Sequence, residues 1–166
     1  MSPPPPHNRR GSAYSDALAL LSRRDLSVSE CRARLRDREH PAEDIDAAIE
    51  RLRESGALDD ARVARSYAQT ALSVKGRGRL RILRELQERG ISKEDAAGAL
   101  GDVAGSSDER ALVAKAIQKR LRTGRRPTDR AGFARLYQYL MRQGFTPSAV
   151  SAELRKLRGG GSDDDL

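Results

Sequence analysis

Apolar residues return along this chain at the three-to-four spacing of amphipathic helices: Tyr14, Ala17, Leu18 and Leu21, then Val28, Cys31 and Leu35, then Ile45, Ala48, Ile49 and Leu52. Three short helices are predicted from this pattern. Ser27-Val28-Ser29-Glu30 has the form of a capping box, in which the Ser oxygen and the Glu carboxylate satisfy free amides at the start of the second helix. Pro41 suits the first turn of the third.

The pattern then repeats. A displacement of 51 residues lays Leu35 on Leu86, Ile49 on Leu100 and Leu52 on Val103, and a further 54 reaches Leu140, Leu154 and Leu157. The punctuation travels with it: Arg89-Gly90-Ile91-Ser92 matches Gln143-Gly144-Phe145-Thr146, with Gly closing one helix and Ser or Thr capping the next. The first helices of the second and third copies carry Val63, Ala64, Tyr67, Ala68 and Ala71, and Val113, Ala116, Ile117 and Leu121. No alternation of period two is present, so no strand is predicted.

The expected fold is all-α, with three tandem three-helix repeats over residues 13–57, 58–106 and 107–158. Three short helices bury too little surface to stand alone, so neighbouring repeats are expected to lean on one another in an elongated array able to curve. Composition agrees. Apolar residues make up 37% of the chain, aromatic residues 4% and charged residues 34%, with no Trp, which is too little material for one thick core. Residues 1–12, with four consecutive prolines, read as a disordered leader, and residues 159–166, Gly-Gly-Gly-Ser followed by three Asp and Leu, as a flexible acidic tail.

Cys31 is the single cysteine and excludes an intrachain disulfide, which points to a reducing compartment and a role as a small apolar filler. No apolar run approaches the ~20 residues of a membrane span, and no apolar signal core is present, so a cytoplasmic location is expected.

The net charge of +8 favours an acidic partner, either nucleic acid or a protein with an acidic face. Only five of the cationic residues are Lys, so codon bias toward Arg is a competing explanation. Positive charge gathers in two stretches. One holds Lys75, Arg77, Arg79, Arg81, Arg84 and Arg89 around the apolar stripe Ile82, Leu83 and Leu86; on a helical wheel Arg81 and Arg84 point away from that stripe and stand free for a partner. The other holds Lys119, Arg120, Arg122, Arg125, Arg126 and Arg130, with Gly124 and Pro127 placing a loop among them. Such a loop can bind phosphates, or it can be a solvated charge run. No aromatic residue interleaves with these charges, so no base-stacking platform is expected, and Tyr67, Phe133 and Tyr137 belong to apolar faces.

Catalytic chemistry finds no footing. The two histidines, His7 and His40, have no Cys or carboxylate set of metal-ligand spacing, so neither a metal nor a cofactor is expected. Gly76-Arg77-Gly78-Arg79 resembles a fragment of a phosphate loop but lacks a preceding strand and the Gly-Lys-Ser/Thr ending. Asp59 and Asp60, adjacent on a helix, diverge by about 100° and read as a cap rather than an acid/base dyad. The chain is expected to act by binding and not as an enzyme.

Gly56-Ala57-Leu58-Asp59-Asp60, the run from Gly76 to Ile91, Gly144-Phe145-Thr146 and the opening helix Tyr14 to Arg24 together resemble the RecX family of recombination regulators, in order over about residues 13–158. The resemblance implies a protein of tandem three-helix repeats that binds the RecA recombinase; a monomer is expected. It would lie along the groove of the RecA filament on single-stranded DNA, restrain filament extension, ATP hydrolysis and strand exchange, and so modulate recombination, repair and the SOS response. Arg77, Arg81, Arg84, Arg120, Arg122, Arg125, Arg126 and Arg130 are then the candidate contacts to protein or DNA. The alternatives are a helical protein that binds single- or double-stranded DNA without a recombinase, and an inert Arg-rich scaffold. Two departures from the family pattern stand out. Glu39-His40 replaces Gly followed by an apolar residue, which predicts a looser turn and a less regular first repeat, and Val63 stands where a larger aromatic is usual.

Overall fold

The computed structural model describes residues 11–105 and 108–159; the Pro-rich leader, apart from Gly11 and Ser12, and the acidic tail beyond Gly159 lie outside the described residues. Nine helices and no strands are present among them: α1 (Ala13–Leu21), α2 (Val28–Asp37), α3 (Ala42–Glu54), α4 (Asp60–Ser73), α5 (Arg79–Glu88), α6 (Lys93–Ala104), α7 (Glu109–Thr123), α8 (Arg130–Gln143) and α9 (Pro147–Gly159). The chain divides into two compact units, Met1–Val63 and Ala64–Leu166, and the division falls inside α4.

In the first unit, α1, α2 and α3 pack around Ala17, Leu20, Leu26, Cys31, Leu35, Ile45, Ile49, Leu52 and Leu58. The capping box of α2 forms as its sequence requires: the Glu30 amide donates to Ser27 Oγ at 3.1 Å and the Ser27 amide to Glu30 Oε2 at 2.9 Å. A second carboxylate serves the same helix end, because Asp60 Oδ1 accepts the Val28 amide at 2.8 Å. Asp59 Oδ1 accepts the Arg62 amide at 2.9 Å, so each member of the adjacent Asp pair caps a different helix. Burial raises the pKa of the Cys31 thiol.

The turn at Glu39-His40 is not looser than its counterparts, contrary to the expectation from sequence. Glu39 takes the left-handed conformation, φ 61°, that Gly90 (77°) and Gly144 (89°) occupy at the same place. The closing bonds correspond as well: His40 N to Leu35 O at 3.3 Å, Ile91 N to Leu86 O at 3.1 Å and Phe145 N to Leu140 O at 3.4 Å. Ile91 and Phe145 are buried there, and the His40 side chain, 8% exposed, fills the equivalent position. Its polarity is met by Asp16, whose Oδ2 lies 2.8 Å from His40 Nε2 and 3.2 Å from an Arg38 guanidinium nitrogen. The His40 hydrogen bond, joined by Arg38, outweighs desolvation and holds the Asp16 carboxyl below its usual range.

In the second unit, α5 packs on α6, while α7 packs on α8 and α9 around Val113, Ala116, Ile117, Leu136, Leu140, Phe145, Ala149, Val150 and Leu154. The start of α9 departs from simple Thr capping. Thr146 donates its hydroxyl to Glu109 Oε2 at 2.8 Å and its amide to Glu109 Oε1 at 3.0 Å, so a carboxylate of α7 supplies the cap. The two repeats of this unit are joined by main chain: Gly78 N donates to Gln143 O at 2.7 Å and Leu80 N to Gly144 O at 3.1 Å. Gly76-Arg77-Gly78-Arg79 is therefore a structural joint, and its glycine at 78 provides the close approach.

Candidate functional site

The two basic stretches have different fates. In the first, Arg77 donates from one guanidinium nitrogen to the Tyr67 hydroxyl oxygen and to Glu85 Oε2, both at 2.6 Å, and Arg81 Nε donates to Glu85 Oε1 at 2.9 Å. A further Arg81 nitrogen reaches the Arg142 carbonyl at 3.3 Å. Glu85 is 18% exposed and sits at the centre of this cluster, with the Tyr67 hydroxyl donating to it at 2.6 Å. Burial draws the Glu85 carboxyl upward, but Tyr67, Arg81 and Arg77 outweigh it and leave the pKa below the ordinary value. Burial, and then the bond to Glu85, raise the Tyr67 phenol.

The expectation that Arg81 stands free is thus corrected. It does point away from the apolar stripe of α5, but Glu85, one turn along, and the end of α8 capture it. Arg84 is exposed on α5. Tyr67 is half-buried and anchored by its hydroxyl as much as by its ring.

The second stretch builds an open groove. Arg120 near the end of α7, Arg125 and Arg126 in the loop, and Arg135 and Arg142 on α8 line a cleft of about 870 Å³, together with Tyr139, Gln138 and Pro127. Among the described residues Asp129 is the only acidic one lining it, and its Oδ1 is engaged by the Gly132 amide at 2.7 Å as the cap of α8. No carboxylate among the described residues pairs with any of the five arginines. Arg guanidinium groups present planar forks of donors that match phosphate and carboxylate oxygens, so the groove suits an anionic chain.

Arg130 does not line this cleft. It faces a neighbouring one of about 480 Å³ with Arg126, Phe133, Leu157 and Arg158, and Arg126 donates to the Leu157 carbonyl at 3.1 Å. Arg122 is separated from Arg120 by the turn of the helix and lines a third cleft of about 400 Å³ with Arg77, Lys115 and Lys119.

Arg135, Tyr139 and Arg142 were missed by inspection of charge runs because they are dispersed along α8. Their spacing of four and three places them on one helix face, which is the signal that finds them. Tyr139 also corrects the expectation that no aromatic accompanies the charges: the Arg120 guanidinium carbon lies 5.3 Å from its ring centroid. Tyr137 packs against the third-repeat core, whereas Phe133 packs there and also lines the Arg130 cleft beneath Arg158.

Among the described residues no group of His, Cys, Asp and Glu is arranged to hold a metal ion, and no helix is long and apolar enough to cross a membrane.

Comparison with known proteins places these features in a family. Residues 13–52, 59–100 and 108–154 match the first, second and third three-helix domains of RecX, in that order. The chain is 30% identical to the regulatory protein RecX of Pelodictyon phaeoclathratiforme over 95% of its own length and 96% of that protein. It is 33% identical to that of Chromobacterium violaceum over 93% and 94%, and 39% identical to that of Chromohalobacter salexigens over 70% and 75%. A crystal structure of regulatory protein RecX superposes with a TM-score of 0.76 at 26% identity, covering 86% of this chain and 71% of that one. The crystal structure of RecX from Lactobacillus salivarius has the same fold, with a TM-score of 0.75 at 20% identity over 88% and 94%. With three consecutive domain matches spanning its helices and relatives aligned along nearly its whole length, the chain belongs to the RecX family of regulatory proteins.

Proposed function

We infer that this protein regulates homologous recombination by binding the RecA recombinase and its filament on single-stranded DNA, restraining filament extension, ATP hydrolysis and strand exchange. The observation that carries the reading is the ordered match of all three RecX domains. The third-repeat groove adds a surface of suitable chemistry: five arginines that face one opening and pair with no carboxylate among the described residues can engage acidic side chains or phosphates of a nucleoprotein filament. Arg120, Arg125, Arg126, Arg135 and Arg142 are the contact residues this geometry favours, with Arg84 exposed on the second repeat. The groove also supports a second reading, direct DNA binding without a recombinase.

The deciding experiment is RecA-catalysed ATP hydrolysis on single-stranded DNA with this protein titrated in. Hydrolysis is expected to fall as the protein approaches the recombinase in amount. Unchanged hydrolysis at equal amounts, beside tight binding to bare DNA, overturns the first reading in favour of the second.

A further inference from the structure

The sequence carries an acidic segment that regulation by the basic surface does not by itself explain. Residues 160–166 read Gly-Gly-Ser-Asp-Asp-Asp-Leu and follow directly on Gly159, the last residue of α9. We propose that the Arg125, Arg126 and Arg130 face of the α7–α8 loop is a binding site for a carboxylate-rich peptide segment, and that Asp163, Asp164 and Asp165 of this chain are its intramolecular occupant.

Position makes the contact short. The Leu157 carbonyl already accepts from Arg126 at 3.1 Å, and Leu157 and Arg158 line the same cleft as Arg126 and Arg130. The end of α9 therefore emerges beside the cationic loop. Asp163 follows Gly159 by four residues and Asp165 by six, so an extended chain carries them as far as about 13 to 20 Å from it.

Charge selects the occupant. Arg125, Arg126 and Arg130 are exposed and pair with no carboxylate among the described residues, and the nearby Asp129 is engaged as a helix cap. Three consecutive carboxylates offer such a site several charge-assisted contacts at once, each weak at a surface but held at high effective concentration by the short tether. Tail and external anion then compete for the same arginines. This consequence, unlike the contact itself, rests on the reading of the basic groove as the partner-facing surface.

The contact is read directly with a nitroxide spin label. Cys31 is the only cysteine and is buried, so Ser162→Cys offers one accessible attachment point in the full chain. The amides of residues 124–130 are expected to be broadened by the label at low salt. The broadening should diminish when Asp163, Asp164 and Asp165 are all changed to Asn, and again near 1 M salt, where the Debye length falls to about 3 Å. Equal broadening in the Asp and Asn forms shows that tethering alone accounts for it and overturns the proposal. A second measurement separates contact from consequence: the Asn form should bind a fluorescent thymidine oligonucleotide about three- to tenfold tighter at low salt. That gain should vanish when Arg125 and Arg126 are changed to Ala. Salt-sensitive, Asp-dependent broadening without any gain in affinity upholds the tail contact and counts instead against the groove as a nucleic-acid surface.

Discussion

Gly78 and Gly144 meet backbone to backbone across the joint between the second and third repeats. A Cβ at Gly78 would overlap the Gly144 carbonyl, and one at Gly144 would overlap Arg81. The two glycines differ in what they require. Gly78 has φ −78° and ψ 162°, open to any residue, so only space demands glycine there. Gly144 is constrained twice, by space and by its φ of 89°.

Gly78→Ala should therefore act by overpacking alone. It is expected to cost about 2–3 kcal/mol in urea unfolding, since the atoms it meets are main chain and cannot swing aside. Gly76→Ala is the comparison: its added Cβ meets open space, and only the left-handed φ of 64° is penalised, by about 1 kcal/mol. Equal losses from the two variants would show that the joint yields without cost.

Glu85 holds the same joint through side chains, receiving Tyr67, Arg77 and Arg81. Glu85→Gln keeps the shape and removes the charge, and should lower stability by about 1.5–3 kcal/mol at neutral pH. The folded carboxyl titrates below its ordinary value of 4.5, so its contribution is complete above that value and disappears as pH falls through the lowered pKa. The loss caused by the substitution should shrink correspondingly in acid. A penalty that is the same at pH 7 and in strong acid contradicts this assignment.

At the first repeat's turn, His40→Ala should be costlier than His40→Leu. Both variants remove the imidazole that serves Asp16, but Leu restores the apolar filling that Ile91 and Phe145 provide in the other repeats, whereas Ala leaves a void. A difference of about 1–2 kcal/mol between the two in thermal or urea unfolding is expected, and none would mean that His40 is not filling a core position. Asp16 supplies a pH signature of its own. Its carboxyl is held below the ordinary 3.8, so the stability it contributes is present above that pH and fades on acidification; Asp16→Asn should remove this part of the acid dependence.

That turn also marks the limit of what the sequence makes legible. Helical periodicity locates the helices because burial follows it: Leu35, Leu86 and Leu140 recur at equivalent places and all are fully buried. A local rule fails at Glu39, because a residue with a Cβ adopts the left-handed geometry there and the His40 that seals the turn is held by Asp16, 24 residues away in sequence. The same non-local character separates the candidate arginines. A helical wheel shows which side of α5 Arg81 leaves but not that Glu85 and Arg142 receive it, and charge runs reveal Arg125 and Arg126 but not Arg135 and Arg142 across the groove.

The consequence for mutagenesis is a reversal of roles between the two stretches. Arg81→Ala breaks bonds to Glu85 and to the Arg142 carbonyl, so it should reduce stability before it reduces binding. Among the described residues, Arg125→Ala with Arg126→Ala removes the hydrogen bond from Arg126 to the Leu157 carbonyl, and should leave unfolding nearly unchanged. On single-stranded DNA each arginine that neutralises a phosphate contributes about 0.7 to the slope of log affinity against log salt, so the double variant should flatten that slope by about 1.4. RecA ATP hydrolysis should be less inhibited by the same variant if, as proposed, the groove faces the filament. An unaltered slope would remove these two residues from the nucleic-acid contact. An unaltered slope together with weakened inhibition would instead place them against the recombinase, since loss of a protein contact changes inhibition without releasing counterions from bare DNA.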